Sequence, residues 1–215
     1  MIRLWGRRTS FNVQKVLWLL AELDLPFQHL QAGGVFGGLD APEFLTLNPH
    51  GRIPVLEDRG VAIWESHAIL RYLAASYGSE MFWAADPAVR ALREGWMDWA
   101  QTALQPAFHT GVFWGYYRTP EEERDWAAIH ESLTETWALC GRLDAFLAHR
   151  PFLAGDELSL ADIPAGGLLY RYHELDIERP DLPNLTAWYE RLKGRPAYRT
   201  AVMVPFGEFK GRLTY

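Results

Sequence analysis

The strongest constraint on this chain is a change of rhythm along it. Up to residue 79, short apolar stretches alternate with segments of helical spacing; from residue 88 onward only helical spacing remains. Residues 2–5 open as a strand. Val13, Val16, Leu17 and Leu20 then recur on one helix face, which predicts an amphipathic helix to about Asp24. Residues 27–31 follow Pro26 as a second strand, so the first two strands should run parallel through a right-handed crossover. After a glycine-flanked loop around Phe36, Asp40-Ala41-Pro42-Glu43 reads as a capping box that opens a short helix through Leu47. Residues 53–57 and 61–64 read as two strands around the turn signal Asp58-Arg59-Gly60. Ile69, Tyr72 and Leu73 mark a helix over residues 65–76. The order is βαβαββα.

The second part reads as an all-helical bundle. Asp86-Pro87 caps a helix with an apolar row at Val89, Leu92, Trp96, Trp99 and Ala103. Thr119-Pro120-Glu121-Glu122 reads as a second capping box, and the helix after it carries Trp126, Ile129, Leu133, Trp137, Cys140 and Leu147 on one face. Ser159-Leu160-Ala161-Asp162 starts another, with Leu158 and Ile163 spaced as a hydrophobic staple, and two shorter helices over 184–193 and 196–203 close the chain. The expected domains are therefore 1–79 and 88–215.

Composition narrows the function classes. With 49% hydrophobic and 22% charged residues, the chain is globular. A net charge of −6, with no basic run longer than Arg7-Arg8, argues against nucleic acid or an acidic membrane as partner. One cysteine rules out an internal disulfide framework and fits a reducing compartment, so a cytoplasmic location is expected. The N-terminus lacks the apolar stretch of a secretory signal, and no apolar run is long enough to span a bilayer.

Three stretches could carry chemistry. The first, Arg8-Thr9-Ser10-Phe11-Asn12-Val13-Gln14-Lys15-Val16, places hydroxyls and an amide where a strand ends and a helix begins. The free N–H groups and dipole of a helix start favour an anion there. Lowering a thiol pKa by about two units takes roughly 2.7 kcal/mol. A hydrogen bond to a charged group supplies about 1.5–3 kcal/mol, and a partly buried helix terminus up to about 2. The two together suffice to hold a thiolate without a formal base. The same spacing also suits a hydroxyl that merely caps the helix.

The second stretch is Asn48-Pro49-His50-Gly51-Arg52-Ile53-Pro54-Val55-Leu56. Proline at the mouth of a strand cannot join the ladder and suggests an edge, a bulge or a cis bond. It could leave the backbone of Ile53 available to an extended peptide; an ordinary loop before a hairpin fits too. The third is Trp64-Glu65-Ser66-His67-Ala68-Ile69, where Glu65 could take an ammonium group while Ser66 and the helix start take a carboxylate, or both could serve the helix as caps.

Together these stretches, with Arg71-Tyr72-Leu73 and Ser159-Leu160-Ala161-Asp162-Ile163, resemble the glutathione transferases along essentially the whole chain. The resemblance implies a thioredoxin-like glutathione-binding domain followed by an all-helical domain, and a transferase that ionises the thiol of glutathione, its co-substrate, for attack on small electrophiles. It makes Ser10 the thiol-activating hydroxyl, with Thr9 and Asn12 as rivals. It makes Ile53-Pro54 a cis bond whose backbone pairs with the cysteinyl unit, sets His50 and Arg52 near the glycyl carboxylate, and gives Glu65 and Ser66 the γ-glutamyl end. His67 stands where many relatives have Asn. The electrophile pocket is expected between the domains, with Phe36, Phe113, Trp114, Tyr117 and Arg118 as candidates and Phe206 near the tail. The resemblance also implies a homodimer and a role in detoxification. A glutathione-dependent disulfide or peroxide oxidoreductase is the near alternative, and a non-catalytic ligand-binding protein the distant one.

Other signals are weaker. Cys140 lies on an apolar helix face and reads as a buried structural thiol. No C-x-x-C, no H-E-x-x-H and no G-x-S-x-G is present, and no metal site is expected.

Overall fold

The computed structural model describes residues 1–214. They form two compact units. One comprises Met1–Trp83 with Pro196–Pro205; the other comprises Ala84–Arg195 with Phe206–Thr214.

The first unit holds a four-stranded sheet of strands Ile2–Trp5 (β1), Phe27–Leu30 (β2), Val55–Asp58 (β3) and Val61–Trp64 (β4), in the order β2-β1-β3-β4. β1 and β2 are parallel, with Ile2 opposite Phe27, whereas β3 is antiparallel to both β1 and β4. Helices Phe11–Glu22 (α1), Pro42–Leu47 (α2) and Ser66–Tyr77 (α3) alternate with the strands in the βαβαββα order. α1 contacts α3 on one side and the late helix Pro196–Ala201 on another. That double packing buries almost its whole circumference, from Val13 to Leu20. Trp18 packs edge-on to Tyr198 at 4.8 Å, and Arg8 Nη2 donates to the Thr200 carbonyl at 2.6 Å. The segment Pro196–Pro205 therefore lies in the first unit, although it is distant in sequence. A second core gathers Ala32, Phe44 and Val55, with Trp5 and Ile53 packed against it.

The second unit is helical. Helix Pro87–Trp99 (α4) continues into a wide, π-type stretch, Ala100–Arg118, which contains Pro106. Proline has no N–H to give an α-helical bond. Helices Trp126–Leu147 (α5), Asp162–Glu174 (α6) and Pro183–Lys193 (α7) complete the unit, and Pro196–Ala201 is α8. Buried Asp162 ties α6 down. Its carboxylate accepts from Leu153 N and Ser159 N at 2.9 Å each, and from Ser159 Oγ and Trp188 Nε1 at 3.2 Å each. Burial still pushes its pKa up to about 6 against those donors.

Several local expectations change. The Asp40 capping box does not form: the N-cap of α2 is Ala41, with Pro42 at the first turn. β3 starts at Val55, two residues later than the apolar run suggests. Thr119 does not open α5; its hydroxyl donates to the Trp114 carbonyl at 2.9 Å and closes the preceding helix. Glu121–Glu123 make a short 3-10 turn, and Asp125 caps α5 by accepting from Ala128 N at 3.1 Å. On α4, Val89 and Leu92 are exposed, at 40% and 76%, so this row is not core. Leu92 and Trp96 border two cavities within the helical unit, of about 320 and 340 Å³, and Val89 lines the smaller one. No helix among the described residues is long and apolar enough to cross a membrane.

Candidate active site

The site in the first unit begins where β1 turns into α1. Gly6 makes that turn with φ +144, and a Cβ there would stand 2.5 Å from Val13 Cγ2 and 3.3 Å from Ile53 Cβ. Only glycine lets the strand end approach both α1 and the loop before β3 so closely. Ser10 is the N-cap of α1, in extended conformation, and its carbonyl accepts the first helical bond from Gln14 N at 2.9 Å. Its side chain makes no capping hydrogen bond. The hydroxyl is thus not spent on the helix, as a simple cap would require.

Two residues 54 apart in sequence then meet. Ser66 Oγ lies 3.5 Å from Asn12 Oδ1, which brings the start of α3 against the first turn of α1. Glu65 precedes α3 with φ +69, a left-handed conformation uncommon for a side-chain-bearing residue. It too makes no side-chain cap bond, and it is exposed. The strained backbone sets an exposed carboxylate beside a buried serine.

The loop before β3 supplies a third wall. Ile53-Pro54 is a cis peptide bond. Ile53 lies outside the ladder, which starts at Val55. Asn48 braces the loop: Nδ2 donates to the Arg52 carbonyl at 2.8 Å and Oδ1 accepts from His50 N at 3.0 Å. His50 and Arg52 are exposed, and the His50 ring packs on Trp64 at 5.0 Å. Thr9 is half-buried beside Ser10, and Phe36 is 54% exposed in its loop.

Between α1 and α3 lies a second contact, between two residues that the sequence showed singly but did not pair. Lys15 on α1 is buried, with Nζ 3.2 Å from Nε2 of buried His67 on α3 and 4.3 Å from the Phe11 ring centroid. Burial pulls Lys15 down to about 7, against the raising effect of the Glu65 carboxylate. Burial, then Lys15 and Arg71, push His67 down to about 2, so its ring is neutral. The one signal in the sequence was a lysine set between Val13 and Val16 on an otherwise apolar helix.

In the helical unit, the electrophile candidates divide. Phe113 is buried at 1% exposure, stacked on Tyr117 at 5.5 Å and met edge-on by Phe206 and Phe209. It is core rather than pocket wall. Arg118 is also buried and is spent on the tail: Nε donates to the Arg212 carbonyl at 2.8 Å and Nη2 to that of Leu213 at 3.2 Å. Its guanidinium lies 3.8 Å over Trp114. The expected pocket cation is therefore a tail anchor. Trp114 stays exposed at 36%, and Tyr117 is half-buried, with desolvation raising its pKa. Cys140 is buried, with its thiol pushed up to about 12, which leaves it inert. No cluster of metal-ligating side chains occurs among the described residues.

Comparison with known proteins agrees along the chain. The family model for the glutathione S-transferase N-terminal domain matches residues 1–75, and that for the C-terminal domain matches residues 101–196. Glutathione S-transferase GstB of Escherichia coli is 46% identical over 207 residues, covering 95% of this chain and 99% of its own. Glutathione S-transferase 3 of Zea mays is 32% identical, covering 94% and 93%. The crystal structure of a theta class glutathione S-transferase from Xanthomonas axonopodis pv. citri, with glutathione bound, superposes with a TM-score of 0.89 at 46% identity, covering 95% of this chain and 98% of that one.

Proposed function

The chain belongs to the glutathione S-transferase family, and from that premise we propose that it transfers the sulfur of glutathione to small electrophiles at the site built by α1, α3 and the loop before β3. The observation that carries the reading is the meeting of Asn12 and Ser66 at 3.5 Å beside a Ser10 hydroxyl that caps nothing. An extended tripeptide lies along the loop, with its cysteinyl unit on the backbone of Ile53. Glu65 takes the ammonium of the γ-glutamyl end and Ser66 its carboxylate, while His50 and Arg52 face the glycyl carboxylate. Ser10 donates its hydroxyl proton in a hydrogen bond to sulfur, and the N-terminus of α1 adds its field; together these stabilise the thiolate. Serine is not ionised. The thiolate then attacks the activated carbon, and the leaving group departs with its electron pair. In the helical unit, Trp114 and Tyr117 offer aromatic surface to the acceptor. We extend the reading to a cytoplasmic homodimer acting in detoxification, in which a second copy covers the exposed apolar face of α4.

The test is conjugation of glutathione to a chloroaryl acceptor, run beside reduction of a small disulfide. Turnover of the aryl acceptor, with the bound thiol titrating well below its value in water near 240 nm, is expected. Turnover of the disulfide alone would shift the assignment to an oxidoreductase, and failure to bind glutathione would end both. Light scattering decides the dimer.

A further inference from the structure

The buried Lys15 and His67 have no part in the scheme above, yet they join the two helices that carry Asn12 and Ser66. Lys15 sits three residues after Asn12, and His67 one residue after Ser66, so the 3.2 Å contact between Nζ and Nε2 joins the same two helices, α1 and α3, as the Asn12–Ser66 contact. A helix-to-helix tie could have been made with apolar side chains at far lower desolvation cost. Groups that act on the pair include Glu65 and Arg71 from the α3 side and the Phe11 ring on α1 itself. α8, the other helix packed on α1, sets Tyr198 against Trp18, and its cation Arg199 is exposed.

Resting on the proposed transferase reading, we infer that Lys15 is a charge-supplying residue: its ammonium, held against the His67 imidazole and the Phe11 ring in the first turn of α1, favours the thiolate of bound glutathione. The argument is one of charge. His67, one of the partners of Lys15, holds the ammonium without cancelling its field. The carboxylate that offsets Lys15 is Glu65, and Glu65 is the group proposed to take the ligand's ammonium. Binding therefore draws that carboxylate toward the ligand and leaves the Lys15 field for the sulfur. Close to neutral pH the lysine holds its proton only in part, because burial brings it down to about 7. A thiolate above it must raise its proton affinity by the same coupling with which the ammonium lowers that of the thiol.

The experiment has two arms. In Lys15→Met, the pKa of bound glutathione is read from thiolate absorbance, and the affinity for S-methylglutathione, which has no ionisable thiol, is measured alongside. The thiol pKa should rise by about 0.5–1 unit, as for loss of a nearby but not contacting cation, while S-methylglutathione affinity stays within about 3-fold. An unmoved thiol pKa in a variant that still binds overturns the inference and leaves the transferase reading intact; no binding of glutathione by the unmodified protein sinks that reading instead. The second arm serves if the variant does not fold. The chain has three lysines, Lys15, Lys193 and Lys210, so the Lys15 Nζ resonance can be followed directly in the unmodified protein. Its pKa should be higher in the glutathione complex than in the S-methylglutathione complex. Equal values overturn the inference.

Discussion

Helix starts in the two units are treated in opposite ways. In the helical unit acidic side chains near the starts are spent on structure: Asp86 accepts from Ala88 N and Asp125 from Ala128 N, while at α6, whose N-cap Ala161 offers no capping side chain, Asp162 accepts from Ser159 N and Leu153 N in the segment before the helix. Asp144, reaching across from α5, accepts from Asn184 N and Leu185 N at the start of α7. In the first unit the side chains at the starts of α1 and α3, Ser10 and Glu65, make no such bond. A capped start is a satisfied one and contributes about 1 kcal/mol of stability. An uncapped start keeps donors and a dipole for something else. The difference separates helices that hold the molecule together from helices that can hold a ligand.

The comparison can be broken experimentally, beginning with the capping side. Asp162→Ala removes an acceptor from four buried donors and should cost about 3–5 kcal/mol, read in chemical denaturation, with turnover per folded molecule unchanged. A purely kinetic effect would contradict its structural role. Next comes Ser10→Ala, which should lower kcat by about 10–100-fold, the value of one hydrogen bond to a charged sulfur, with little change in glutathione affinity or unfolding midpoint. Unchanged turnover would move the role to Thr9 or Asn12. Ser66→Ala should act on binding, raising the KM for glutathione by roughly tenfold and leaving kcat at saturation near the original value. The smallest effect belongs to Asp125→Ala: about 1 kcal/mol of stability, seen as a lower unfolding temperature, and no kinetic change at all. A loss of activity there would erase the distinction between the two classes of helix start.

Much of this was legible beforehand. The strand and helix order of the first unit follows from periodicity, and the Asp86 and Ser159–Asp162 caps from local chemistry, because both depend on neighbours within a turn or two. Thr119 shows where that reading breaks. Thr-Pro-Glu-Glu carries every local sign of a helix start, but the same hydroxyl can close the helix before it, and here it does. Arg118 misleads in the same way: a cation among aromatics suits a pocket, until the tail 94 residues later brings it the Arg212 carbonyl. Phe113 and Val89 exchange their expected places, one buried and one exposed, since helical spacing tells which residues share a face but not what the face meets.

The sequence by itself determined the strand and helix order of the first unit, the helical character of the second and the family, since repeating apolar spacing and short motifs are properties of contiguous residues. Tertiary structure alone decided that Asn12 meets Ser66 and that Lys15 meets His67, pairs separated by 54 and 52 residues. Such meetings depend on how a crossover and a sheet fold α1 against α3, and so does the burial that turns an ordinary lysine into one that titrates near neutrality.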